Sequence, residues 1–283
     1  MIPAVELGGS HVSATRVSPV TWTARDPRPP ARRVSPHATA QELITAITNA
    51  ALSAGPLADL PLCLAVPGPF DYAEGIGRYT GVGKFDAING VDLRSALYTA
   101  LGPRPAEISF VNDAVAFGIG EWVAGAARGL NRIAAITLGT GVGSAFIDRG
   151  HVVQDGPSVP PQGRADLLDI DGRPLEETVS TRGILRAHGR PATGVIDVIR
   201  AGNLEALDAY RRLGAALAPW VNSFAAQAVV VGGAVAQSWN VIGPLLTAGL
   251  HDGGSTVNLL AAANPHTATH IGAAWLTSQR AVS

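Results

Sequence analysis

The chain has 283 residues, 47% of them hydrophobic, and its 21 Lys and Arg nearly balance 22 Asp and Glu for a formal net charge of -1. That length gives room for two domains or one large α/β domain with a sizeable core, and the charge balance offers no general pull toward nucleic acid or an anionic membrane. A single cysteine, Cys63, excludes a disulfide framework within the chain, and its place in "LPLCLAVPG" reads as a small buried hydrophobe. No basic n-region with a long apolar h-region opens the chain, and no apolar run reaches about 18 residues without a polar break. The cytoplasm is therefore the expected compartment, with neither a membrane nor nucleic acid as the expected partner.

Short β-rich runs alternate with longer helical stretches, which predicts an α/β fold. "AVEL" and "HVSATRV" are expected to be two strands of a hairpin around a Gly8-Gly9-Ser10 turn. Residues 18–37, rich in proline and arginine, read as an irregular surface connection with solvated arginines. Apolar positions at helical spacing predict a helix over "TAQELITAITNAALSA", with Thr39 as N-cap and Gly55 at the stop. "PLCLAVPGPFD" is expected to be a buried strand entering a proline-glycine turn, and the loop after it becomes helical in its last third. "EISFVNDAVAFGIGEWVAGAA" reads as strand, turn and helix, and "IAAITLGTGVGSAFIDRG" as a second glycine-turn hairpin, which makes a faint internal repeat. After "DGPSVPPQG" the chain is expected to be mostly helical from Leu175 to Ala248, interrupted by a buried strand in "AAQAVVVGGAVAQS". The closing "HIGAAWLTSQR" is predicted to be a short amphipathic helix that returns to the N-terminal sheet.

Three bare turns end apolar strands: Gly8-Gly9-Ser10, Gly139-Thr140-Gly141 and Gly232-Gly233. Backbone N–H and hydroxyl groups in such turns can hold the phosphates of a nucleotide, and three purely structural turns are the alternative. None has the spacing of a P-loop or of a dinucleotide-binding fingerprint. Asp113 reads in two ways. A carboxylate at a strand end can take a proton from a hydroxyl, with Asn112 beside it donating and accepting. Alternatively, Asn-Asp caps the helix beginning near Ala114, and on the residues alone the cap is favoured.

In the order "VELGGSH", "VPGPFD", "FVNDAVAFGIGE", "ITLGTGVG", "VVVGGAV" the chain resembles, over nearly its whole length, the ROK family (repressors, open reading frames and kinases) of the actin-like ATPase and sugar-kinase superfamily. The resemblance implies a two-domain actin-like ATPase (ribonuclease H-like) sugar kinase fold, with a smaller domain of residues 1–114 and 266–283 and a larger one of 115–265. It further implies a sugar site in the cleft between domains, ATP and magnesium beside it, and phosphoryl transfer to a hydroxyl. Asp113 is then favoured as general base. Gly68, Lys84, Asn112, Asp113 and Glu176 are implied at the sugar, with Gly8, Gly9, Ser10, His11, Gly139, Thr140 and Gly141 at the phosphates and Gly232 and Gly233 at the nucleoside end. Glu6 stands where the family usually has Asp, and can still position magnesium through water. His11 stays open between phosphate donor and strand-surface residue. Lys84 stays open between sugar contact and surface lysine, and Glu176 between sugar contact and helix-start carboxylate.

Many family members carry a cysteine-rich zinc motif with a nearby Glu-x-Gly-His. "PPQGRADLLDIDGRPLEETVS" occupies that region without a cysteine, so no thiolate zinc site is expected. His266 and His270, four residues apart, have no obvious acid or thiol partner and are expected at exposed positions. The family's second sugar-contacting Glu is replaced by Arg164 or Gln162, and its His by Asp166 or by nothing. Lost hydrogen bonds of this kind change selectivity, which leaves a hexose, an amino or acylamino sugar and a sugar-like cyclitol all open as acceptors. The leading reading is an ATP-dependent sugar or cyclitol kinase, a homodimer by resemblance. One alternative is a sugar-responsive regulator, for which a DNA-binding module with a basic recognition helix would be needed and is not seen. The other is a catalytically silent sugar-binding protein, motivated by Glu6 and the missing Glu and His.

Overall fold

The computed structural model describes residues 1–35, 37–82, 84–102 and 105–280. They form two compact units, Met1–Ala124 with His266–Ser283, and Gly125–Pro265. The division thus falls after Ala124 rather than after residue 114, and the units are nearly equal in length.

In the first unit, β1 (Ile2–Leu7) and β2 (His11–Val17) pair antiparallel with Leu7 opposite Val12. β3 (Ala31–Arg33) adds to the free edge of β2, so the connection expected to be irregular contains a short edge strand. Its three residues are all exposed, and charged side chains on an edge discourage pairing with another chain. α1 (Ala40–Ser53) begins in a reciprocal cap: the Glu42 N–H donates to Thr39 Oγ1 at 3.2 Å, and the Thr39 N–H to Glu42 Oε2 at 2.8 Å. Gly55, at φ +121°, follows its end. Thr39→Ala is expected to cost about 1 kcal/mol, read as a lower urea midpoint at unchanged m-value.

β4 (Pro61–Val66) leads to the small hairpin β5 (Phe70–Asp71) and β6 (Ile76–Gly77), then α2 (Leu93–Ala100), β7 (Glu107–Asn112) and α3 (Asp113–Ala124). The sheet runs β3-β2-β1-β4-β7, with β1, β4 and β7 parallel. Leu43 and Ile47 of α1 close one core with Leu7, Leu64 and Phe110 of the sheet.

The second unit repeats this plan. β8 (Arg132–Leu138) and β9 (Val142–Asp148) form the second hairpin, Leu138 opposite Val142, and β10 (His151–Val152) lines its edge. A two-stranded piece, β11 (Asp169–Ile170) and β12 (Arg173–Pro174), precedes five helices: α4 (Leu175–Val179), α5 (Thr181–His188), α6 (Val195–Arg200), α7 (Leu204–Leu207) and α8 (Ala209–Ser223). β13 (Ala228–Gly232), α9 (Trp239–Asp252) and β14 (Asn258–Ala261) complete it, in the sheet order β10-β9-β8-β13-β14 with β8, β13 and β14 parallel. The faint repeat is a duplicated sheet topology, an antiparallel hairpin continued by two parallel strands.

α10 (Ala268–Arg280) returns to the first unit, as expected, and packs Ile271, Ala273 and Ala274 against Ala4, Cys63 and Val111. It lies close on α3 because glycine stands at both crossing points. A side chain at Gly272 would run into the carbonyl oxygen of Ala116, and one at Gly120 into that of Ala268. Gly214 and Gly249 do the same for α8 and α9. Cys63 is buried in this layer, its thiol 3.3 Å from the Pro3 carbonyl oxygen and pushed up to about 12 by burial. It stays protonated and packs as a hydrophobe. No helix among the described residues is long and apolar enough to cross a membrane.

Candidate active site

The end of β7 shows which of the two adjacent residues caps α3. The Val115 N–H donates to Asn112 Oδ1 at 3.0 Å, the bond of a helix N-cap, so Asn112 caps α3. Asp113 Oδ1 accepts the adjacent Ala114 N–H at 2.9 Å, its own backbone N–H also draws on the carboxylate, and Oδ2 accepts no hydrogen bond from another side chain among the described residues. Packing around this half-buried side chain pushes its pKa up to about 6. Lys84 and the Ala114 N–H act against that rise, and the Glu6 carboxylate adds to it. Lys84, Glu6 and Asp113 therefore share one electrostatic neighbourhood, which spacing along the chain does not reveal.

Asn112 Nδ2 donates to Tyr72 Oη at 2.9 Å, and the Tyr72 hydroxyl donates to the Val66 carbonyl at 3.2 Å. Asn112 thus keeps one N–H for a ligand, fewer contacts than the sequence reading gives it. A side chain at Gly68 would lie 3.4 Å from Tyr72 Oη and 3.8 Å from Asn112 Nδ2, so Gly68 belongs to the same cluster. Tyr79 donates to the Pro67 carbonyl at 2.7 Å, and its phenol is raised by burial, with Tyr72 and Asp113 adding to the effect. Both tyrosines escape the sequence reading, although "GPFDY" sets an aromatic polar group just beyond a strand-end turn.

On the first hairpin, the Gly8 N–H donates to the His11 carbonyl at 2.8 Å, and a side chain at Gly8 would collide with the His11 imidazole. The ring therefore rests on the turn. The N–H groups of Gly9 and Ser10 make no backbone hydrogen bond among the described residues. In the second hairpin the Gly139 N–H donates to the Gly141 carbonyl at 3.0 Å, leaving Thr140 exposed at the tip with its N–H similarly unpaired among the described residues. A side chain at Gly139 would point into open space, whereas one at Gly141 would lie 3.1 Å from Glu176 Oε1. Glu176, in the first turn of α4, thus packs against the same turn. Gly232 and Gly233 have a packing reason of their own. Gly232 pairs with Thr137, and Gly233, at φ +85°, is so close to Leu138 that a side chain would strike its carbonyl oxygen.

Where the family's zinc motif would fall, the chain folds on itself. Arg164 grips Asp166 through Nε to Oδ1 at 3.2 Å and Nη2 to Oδ2 at 2.6 Å. Ser144 Oγ donates to the Gly163 carbonyl and accepts the Ala165 N–H, both at 2.8 Å, which ties this loop to β9. Buried Ile170 and an Asp171 to Arg212 contact of 2.9 Å anchor the β11–β12 piece. Among the described residues no three His, Cys, Asp or Glu side chains stand together as a metal cage.

His270 corrects the expectation of exposure: it is fully buried. Nε2 lies 3.2 Å from Ser13 Oγ and Nδ1 3.9 Å from Glu6 Oε2. Burial holds the imidazole below its ordinary pKa, against the pull of Glu6 and the Ser13 backbone, with His11 reinforcing the decrease. Docking of α10 on the sheet thus favours the neutral form of the ring.

The ROK family model matches residues 3–158, more than half of the chain. The chain belongs to the ROK family. It is 28% identical over 214 residues to the glucokinase of Thermotoga maritima, a match covering 63% of this chain and 65% of that enzyme, less than two thirds of the relative's length. Its fold is similar to that of an inorganic polyphosphate/ATP-glucomannokinase from Arthrobacter sp. strain KM, with 22% identity, a TM-score of 0.74, and coverage of 99% of this chain and 98% of the other. A ROK family glucokinase from Streptomyces griseus, in complex with glucose and AMPPNP, gives 20% identity and a TM-score of 0.73 over 98% and 99% of the two chains. The fold of this ROK protein is accordingly the two-domain actin-like fold of the ROK sugar kinases.

Proposed function

We propose that this ROK protein is an ATP-dependent kinase that moves the γ-phosphoryl group of ATP to a hydroxyl of a sugar or sugar-like cyclitol, with Asp113 as general base. The observation that carries the proposal is the division of labour at the end of β7. Asn112 takes the helix cap, so Asp113 keeps a carboxylate oxygen for a hydroxyl and a pKa close to neutrality. Likeness to the Thermotoga glucokinase supports a sugar acceptor, and the AMPPNP complex of the Streptomyces glucokinase supports ATP as donor.

Asp113 accepts the hydroxyl proton as the acceptor oxygen bonds to the γ-phosphorus. The bond from that phosphorus to the β–γ bridging oxygen breaks, and its electron pair leaves with ADP. Lys84 favours the ionised form of Asp113. Gly68, Lys84, the remaining Asn112 N–H and Glu176 hold the acceptor. Gly8, Gly9, Ser10, His11, Gly139, Thr140 and Gly141 line the phosphates, the Gly9, Ser10 and Thr140 N–H groups and the two hydroxyls donating while Gly8 and Gly139 hold the turns closed. Gly232 and Gly233 bound the nucleoside end. Magnesium needs only one or two carboxylates when phosphates and water complete its shell, a demand that half-buried Glu6 on β1 fits. When bound, magnesium neutralises charge on the β- and γ-phosphate oxygens. The same reading makes the protein a cytoplasmic homodimer acting on small molecules, without nucleic-acid or membrane partners.

A second reading, a sugar-binding protein without catalysis, is favoured by one observation. Arg164 and Asp166 satisfy each other where the family's sugar-contacting groups would be. ADP release from magnesium ATP across hexoses, acylamino sugars and C7 cyclitols separates the two. Turnover with one class is the expected result. Silence across the panel, with a sugar still raising the Tm, decides for the second reading.

A further inference from the structure

β1 and β2 pair so that Glu6 lies opposite Ser13, and the His270 ring, arriving on α10, addresses both residues. Nε2 lies 3.2 Å from Ser13 Oγ. Nδ1 is buried, makes no hydrogen bond among the described residues and stands 3.9 Å from Glu6 Oε2. That separation exceeds a hydrogen bond, and the broad, soft terminal torsion of Glu lets the carboxylate turn toward the ring.

We infer that His270 is a positioning residue for Glu6: it accepts the Ser13 hydroxyl hydrogen at Nε2, carries its own proton on Nδ1, and directs that N–H at the Glu6 carboxylate. The opposite tautomer would set a ring lone pair against carboxylate oxygens and leave a buried acceptor unpaired. The arrangement also suits the length of Glu6. A long side chain with several torsions to fix gains from a donor on its buried side, which holds the carboxylate in one place. The consequence for turnover rests on the kinase reading above, whereas the ring geometry does not.

The test uses the full chain. ¹⁵N chemical shifts of His270 are expected to report a neutral ring protonated at Nδ1, and the Nδ1 signal is expected to move in Glu6→Gln. A ring protonated at Nε2, or an Nδ1 signal unchanged by Glu6→Gln, overturns the inference. In kinetics, His270→Leu is expected to raise KM for magnesium ATP about tenfold with KM for the acceptor unchanged, and His270→Asn, which can still offer an N–H, to recover part of the loss. Equal change in both KM values, or no recovery in a folded Asn variant, counts against positioning. A wild-type chain without turnover on any acceptor removes the kinase reading, and the nitrogen shifts alone then uphold or overturn the contact.

Discussion

Asp113→Ala is expected to lower turnover by at least about 10²-fold, the usual loss when a general base is removed, while the chain remains folded. The helix start survives because Asn112, not Asp113, accepts the Val115 N–H. Asp113→Asn makes a sharper comparison, since the amide can still accept from Ala114 and cannot take a proton. Stability should move opposite to activity. The folded Asp113 holds its proton up to about pH 6 against an ordinary value of 3.8, so between those values the folded state binds more protons than the unfolded one. Stability contributed by this group therefore falls as pH rises through that window. Asp113→Asn removes the cost. Its Tm at pH 7 is expected to equal or exceed that of the wild type, with the difference shrinking toward pH 4. In the wild type the same ionisation should give kcat/KM an acid limb near pH 6.

Gly272→Val is expected to destabilise the first unit by about 3 kcal/mol or more, at the upper end for overpacked sites. The added carbon meets the Ala116 carbonyl on α3, and backbone, unlike a flexible side chain, cannot swing away. Separation of α10 from α3 would also draw His270 off Glu6, so the folded fraction of the variant should bind magnesium ATP more weakly. Gly102→Ala serves as the control, because a side chain there meets nothing within 4 Å among the described residues, and its effect should stay within about 0.5 kcal/mol. Urea midpoints of the three chains provide the comparison.

Local signals made the two glycine hairpins, α1 with its Thr39 cap, and the duplicated plan readable from the residues. β3 and β14 were not readable, being three and four residues long. Such edge strands are defined by the partner they pair with, not by their own periodicity. At the site, Asp113 and Asn112 are adjacent capping residues, and only the observed start of α3 tells which one caps. By its spacing from His266, His270 reads as a metal ligand or a surface residue. Its burial depends on the glycine contacts that bring α10 close to α3, a tertiary fact that a spacing of four from His266 does not carry. Arg164 and Asp166 stand where the sequence pattern loses a Glu and a His, and that they bind each other is a contact the pattern does not carry.

The most direct measurement follows the phosphorus. The purified chain is given γ-³²P ATP, magnesium and the acceptor class that best supports ADP release, and the products are separated. Label on the acceptor in the wild type, falling by at least about 10²-fold in Asp113→Asn, is the predicted result. Label appearing only as inorganic phosphate, or transfer at wild-type rate by a folded Asp113→Asn chain, would contradict it.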